Sequence, residues 1–202
     1  MNFIPGDIFA CYSYDLTGIC ISLATSSLFC PPRLMYGPSH VAIAAEYEGQ
    51  MLWFESTSLL NHRACLIGGE PFKGVQCHLP QDRIDDYTFK GRGHVDVYRV
   101  AEGFRLDHNR ERHMTYRLVE WIRKGTGYDN PGAVFSGSRV WQATRLFPYA
   151  DLEKMFCSEM LAQLLKEVGL LGMDNNPSRY NPARLMRRLM TAGNYEYVGA
   201  AT

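Results

Sequence analysis

Cys157 lies in the stretch FCSEM, directly ahead of MLAQLLKEVGLL, so its thiol falls in the first turn of a predicted helix. The unpaired N–H groups of a first helical turn carry partial positive charge, which favours thiolate and lowers the thiol's pKa. Such a thiolate attacks carbonyl carbon when three further groups are supplied: an imidazole to hold the proton, a polar group to orient that imidazole, and N–H groups to receive the oxyanion. The same residue in the same place is also an ordinary core side chain, because cysteine is among the most buried residue types. The thiol by itself does not choose between the two.

Among the six histidines, His40 is the best partner. It follows the Gly37-Pro38-Ser39 turn and opens the β-favouring run HVAIAAEY, where a side chain reaches the sheet edge while its backbone is held. HVAIAAEYEGQMLWFEST reads as a hairpin with Gly49 in its connection. A turn at Gly49-Gln50 pairs Ala44 with Glu55, and a turn at Tyr47-Glu48 sets Glu55 directly across from His40. Both registers place His40, Ala42, Ala44, Trp53 and Glu55 on one face. Glu55 can then accept the second imidazole N–H and fix the tautomer. A different register would offer Glu46 or Thr57 instead. The N–H groups beside Cys157 and Ser158 are the expected oxyanion donors, while Tyr12 and Tyr14 share a face of the first strand and are candidates to line the cleft or to pack in the core.

The remaining histidines fit less well. His94 also opens a strand, in GRGHVDVYRV, but no acid follows at hairpin spacing. His62, His78, His108 and His113 read as loop or solvated-face residues, and Cys77-His78 has no partner pair at metal-ligand spacing. Glu159 suits the helix N-terminus electrostatically. Arg184, Arg187 and Arg188 belong to a short basic helix read as a solvated face.

These residues need a scaffold, and the chain supplies one in α+β order. DIFACYSY is a predicted strand after the IPGD turn, and LTGICISLATSSLF a short helix closed by Pro31 and Pro32. GVQCHLP and HVDVYRV are further strands. DHNRERHMTYRLVEWIRKG and SEMLAQLLKEVGLLG have apolar residues at helical spacing and stop at Gly125 and Gly169. NPSRYNPARLMRRLM ends in a helix with Pro182 in its first turn.

With 202 residues, 46% of them hydrophobic, the chain can bury the core of one domain, 1–202. Its 21 basic and 21 acidic side chains cancel, which argues against nucleic acid or a membrane surface as partner. The N-terminus lacks the charged and apolar halves of a signal peptide, and no apolar run reaches the roughly 20 residues a bilayer needs. A cytoplasmic location is expected. Six scattered cysteines without CxxC pairs argue against structural zinc and against a disulfide scaffold, so no metal or cofactor is expected; oligomeric state is not legible.

IPGDIF, LATSSLF, GPSHVAI, WFEST, GTGYD, FCSEM and NPARL, in this order over roughly residues 4 to 186, resemble the successive signatures of the circularly permuted NlpC-type papain-like superfamily, and within it the YiiX/YaeF-like branch. The resemblance implies an antiparallel sheet packed against helices, with the nucleophile at a helix N-terminus and the base preceding it in the chain. It makes Cys157 the nucleophile, His40 the base and Glu55 the orienting acid of a cysteine-dependent amide hydrolase, a peptidase or amidase acting on a peptide, isopeptide or peptidoglycan stem through an acyl-enzyme. Two stretches depart from the pattern: PPRLMYGPS before His40 is longer, and SRVWQATRLFPYADLEKM is variable material that could set specificity. Two other readings stand beside this one. One is lipid acyl transfer or phospholipid cleavage, as in the related lecithin:retinol acyltransferase type; the other is a papain-like binding module without turnover.

Overall fold

The structure is a computed structural model that describes residues 1–28, 30–58, 63–130, 133 and 153–201. Six strands form one antiparallel sheet: β1 Ile8–Ser13, β2 His40–Tyr47, β3 Gln50–Thr57, β4 Gly74–His78, β5 Gly93–Val100 and β6 Tyr195–Ala201, in the order β4-β3-β2-β1-β5-β6. The described residues form five α-helices: α1 Leu16–Ala24, α2 Pro80–Thr88, α3 His108–Arg123, α4 Cys157–Glu167 and α5 Pro182–Thr191. The architecture is α+β. None of these helices is long and apolar enough to cross a membrane.

The period of two along each strand divides the core into two layers. Ile8, Ala10, Val41, Ile43 and Phe54 face Met114 and Leu118 of α3, Met160, Leu161 and Leu164 of α4, and Leu185 and Leu189 of α5. Phe9, Cys11, Ala42, Ala44, Trp53 and Val97 face the other way, toward Ile84 of α2. Phe9 and Trp53 stack there with ring centroids 4.1 Å apart. The helices that predicted best are those with continuous apolar stripes, α3 and α4. Asp107 caps α3 by accepting from the Arg110 N–H, and Asn181 caps α5 in the same way through Arg184, each supplying one of the partners that a first turn lacks.

The β2–β3 connection differs from both expected registers. Tyr47 pairs with Gln50 and Ala44 with Trp53, so the turn residues are Glu48 and Gly49, both with positive φ (51° and 77°). A two-residue turn with this backbone matches the right-handed twist of the flanking strands. The observed pairing lies two residues from each alternative, an even slip, so the shared face of His40, Ala42, Ala44, Trp53 and Glu55 survives. Helix α1 also ends earlier than expected, at Ala24; its C-cap Thr25 N–H bonds to Ile21 O, while Pro32 opens a separate 3-10 turn, Pro32–Leu34.

Two assignments need correction. His78 is not a loop residue: it ends β4, is 2% exposed, and bonds through Nε2 to Gln76 Oε1 at 3.0 Å. Arg187 is not on a solvated face. It donates to Thr25 O at 2.7 Å and to Leu34 O at 2.7 Å, pinning the chain that leads toward β2. Helix α2 and strand β6 form from PQDRIDDYT and YEYVGAA, two segments without a strong apolar period. The stretch SRVWQATRLFPYAD and His62 lie outside the described residues.

Candidate active site

His40 is the first residue of β2, and Glu55 lies near the far end of β3. The β2–β3 ladder runs from Tyr47–Gln50 to Ile43–Phe54. Ala44 donates its N–H to Asp7 O on the β1 side at 2.8 Å, so alternation turns the N–H groups of Ile43 and Val41 toward β3. Beyond the ladder's end the chain entering α4 occupies the space between the two strands. Ser56 Oγ donates to Met155 O, and the Val41 N–H bonds to the Cys157 sulfur.

A second anchor sets the approach to α4. Gly127 donates to Glu153 O at 2.9 Å and accepts from the Met155 N–H at 2.9 Å, and it also bridges to Gly74 at the start of β4. Gly74 has φ 149°, and a Cβ there would lie 2.1 Å from Thr126 O, so only glycine lets these backbones approach. The Gly-Thr-Gly segment thus fixes the run 153–155 against the sheet, and Phe156 N-caps the helix that Cys157 begins.

Glu55 is completely buried. Its Oε2 is 2.7 Å from His40 Nε2, which leaves Nδ1 as the ring nitrogen for the thiol. Arg83 of α2 donates Nε to Oε1 at 2.7 Å and Nη2 to Oε2 at 3.3 Å, and holds Asp86 through Nη1 at 2.8 Å. The row reads thiol, imidazole, carboxylate, guanidinium. Arg83 had no place in the sequence reading. Its signal there is a lone arginine among Asp82, Asp85 and Asp86, which reads equally well as a solvated face.

The electrostatics follow from this row. Burial opposes ionisation of Glu55, but Arg83 and then His40 outweigh it and hold the carboxyl well below the usual carboxylate range. Burial disfavours a charged His40 ring, yet the sulfur of Cys157 and the Glu55 carboxylate raise its pKa above the ordinary imidazole value. Burial likewise disfavours a Cys157 thiolate. The His40 charge, its hydrogen bond, and the N–H groups of Val41 and Ser158 reverse that and lower the thiol's pKa. The arrangement therefore stabilises a thiolate–imidazolium pair.

The other candidates fall as follows. Ser158 gives its N–H to the sulfur, while its hydroxyl turns away to Tyr180 O at 2.8 Å. Glu159 is buried and accepts from Ser178 Oγ. Tyr12 packs in the core with its ring stacked on His94, centroids 4.4 Å apart. Tyr14 is exposed and its hydroxyl bonds to His94 Nδ1 at 2.8 Å, which commits His94 to these tyrosines rather than to Cys157. Glu46 is exposed near the hairpin turn and Thr57 is buried at the end of β3. Among the described residues no group of three or more His, Cys, Asp or Glu side chains is placed to hold a metal ion.

A cavity of about 560 Å³ adjoins the row on the α2 side. It is lined by Tyr14, Arg83, Tyr87, Lys90 and Arg92, among others, and the Tyr87 ring lies 6.4 Å from that of His40. Lys90 and Arg92 stand over the Phe89 ring at 5.1 and 5.8 Å.

Fold and site together define an α+β chain with a thiol, an imidazole and a carboxylate at one end of an antiparallel sheet. No family model matches the chain, and no curated protein matches it at a significant level. Among solved structures it is similar to the metalloprotein YiiX of Escherichia coli O157:H7, a DUF1105 protein. That likeness has 20% identity and a TM-score of 0.48, over 97% of this chain and 88% of the other.

Proposed function

We propose that the chain is a cysteine-dependent amide hydrolase with a circularly permuted papain-like core, acting on a peptide-like substrate. The observation that carries this reading is the His40 imidazole, bonded to buried Glu55 on one side and to the helix-opening Cys157 thiol on the other. The Cys157 thiolate attacks the substrate carbonyl carbon, and the charge that develops on oxygen faces the N–H groups of the first turn of α4. His40 gives its proton to the departing amine as the C–N bond breaks. Water, deprotonated by His40, then hydrolyses the thioester and frees the thiol.

Glu55 acts by orientation, holding Nε2 so that Nδ1 meets the sulfur. Arg83 keeps Glu55 ionised inside the protein, where an unpaired carboxylate would otherwise take up a proton.

The test is the rate of iodoacetamide labelling of each cysteine from about pH 5 to 9, read by mass spectrometry, in the wild type and in His40→Ala. Cys157 is expected to label well below pH 8.5, where an unperturbed thiol titrates, and to lose that advantage without His40. A Cys157 that labels no faster than buried Cys11 would reduce the chain to a binding module. Turnover of fluorogenic amides beside phospholipid vesicles then separates amide hydrolysis from lipid acyl chemistry.

A further inference from the structure

Cys65 and Cys77 are free thiols on the face of the sheet away from α2, and neither takes part in the row built on Cys157. Their sulfur atoms are 3.7 Å apart and the residues are 2% and 0% exposed. The backbones run side by side: Leu66 donates its N–H to Cys77 O at 3.1 Å, and Gly69 donates to Cys65 O at 2.8 Å, closing a turn around the first cysteine. Inside that turn the Cys65 sulfur accepts from the N–H groups of Gly68 and Cys77, each at 3.3 Å. Such N–H groups favour a thiolate. The Cys77 thiol reinforces them by its own hydrogen bond, so Cys65 is pushed down and Cys77 up.

We propose that Cys65 and Cys77 form an oxidisable dithiol that reacts with a small hydroperoxide and closes to an intramolecular disulfide, Cys65 attacking first and Cys77 resolving. The Cys65 thiolate attacks one peroxide oxygen, the O–O bond breaks, and Cys65 becomes a sulfenic acid as hydroxide leaves. The Cys77 sulfur then attacks the sulfenic sulfur. The displaced hydroxyl takes the Cys77 proton and leaves as one water, and the proton that Cys65 released on ionising turns the hydroxide of the first step into the second. Two thiols and one hydrogen peroxide thus become one disulfide and two waters. Closure needs the sulfurs to approach from 3.7 Å to about 2.05 Å, and the adjacent backbones leave that to side-chain rotation. Burial restricts the oxidant to one as small as a peroxide, about the size of two waters, and excludes a bulky one such as glutathione disulfide. The product would tie the turn at 65–69 to the strand beside the one that carries Glu55.

The experiment uses the full chain carrying Cys157→Ala, so that its result does not depend on the proposed hydrolase activity. The reduced protein is treated with one equivalent of hydrogen peroxide, blocked in acid, digested and mapped. The expected product is a linked pair of peptides containing Cys65 and Cys77, two hydrogens lighter than the reduced pair, formed ahead of any oxidation at exposed Cys20. In Cys77→Ser, dimedone is expected to trap a sulfenic acid on Cys65; in Cys65→Ser, Cys77 stays unlabelled. Oxidation confined to Cys20 and Cys30, or a dimedone adduct on Cys77 in place of Cys65, would overturn the assignment. The map of the Cys157→Ala chain decides the first point even if a serine variant fails to fold.

Discussion

Two carboxylates at this sheet are completely buried, Asp7 and Glu55, and each is gripped by the fork of an arginine. Asp7, in the turn before β1, accepts from Arg99 Nε at 2.9 Å and Nη2 at 2.7 Å, and its remaining bond goes to the Ile4 N–H at 3.0 Å. Glu55 accepts from Arg83 in the same two-pronged way, but its remaining bond goes to His40. The device is the same, and the third partner differs. A backbone N–H cannot change charge, so the Asp7 pair only ties β1 to β5. An imidazole can, so the Glu55 pair passes its electrostatics on to a thiol. A buried arginine–carboxylate pair is thus no mark of chemistry by itself; what it holds decides.

Breaking the comparison at its reactive end should give the largest effect. His40→Ala is expected to slow Cys157 labelling at pH 7 by about a hundredfold or more, the usual scale for a lost proton acceptor. Burial then acts on the thiol with less opposition, and labelling should recover only in alkali. Next comes Arg83→Met, which strands the Glu55 charge in the interior. A loss of about 3–5 kcal/mol in urea unfolding is expected, together with slower Cys157 labelling; unchanged labelling would detach Arg83 from the site.

Asp7→Asn should cost less, about 1–3 kcal/mol, because Arg99 is 23% exposed and recovers some hydration. It should leave Cys157 labelling untouched. A change in labelling there would collapse the distinction between the two pairs.

The pH dependence sharpens the same contrast. The folded pKa of Glu55 lies below its unfolded value, so the folded state binds fewer protons between them. The stability that this supplies is fully present above about pH 4.3, the ordinary glutamate value, and is lost progressively as pH falls from there through the depressed one. The stability gap between wild type and Glu55→Gln should therefore hold from neutral pH down to about pH 4.3 and narrow progressively below it. The smallest effect concerns the cavity beside the site: Lys90→Ala with Arg92→Ala should lower the ratio of iodoacetate to iodoacetamide labelling at Cys157 by about twofold, as expected for partly screened cations.

The shared face of His40 and Glu55 was legible because a strand's side chains alternate, and either turn considered differs from the real one by an even step. The turn itself was not, since Tyr-Glu-Gly-Gln admits three two-residue choices and only the backbone of Glu48 and Gly49 selects one. Cys157 was legible from the apolar stripe that follows it. Arg83 was hidden because α2 offers the sheet only two apolar residues, Ile84 and Tyr87; its acidic neighbours look solvated, and burial of an arginine follows from the partner, not from the local pattern. Tyr12 illustrates the converse. Its position in the first strand admitted a cleft or a core role, and the packing against His94 and the helices places it in the core.

The gap beyond the β2–β3 ladder, filled by the chain entering α4, has a consequence for the order in which the protein is made. His40, Glu55 and Arg83 leave the ribosome long before Cys157, and the last strand, β6, follows it at the sheet edge. Until α4 seats between the splayed strands, Cys157 is an ordinary thiol, mostly protonated at neutral pH. The lowered pKa of that thiol therefore arises only when residues more than a hundred positions apart come together.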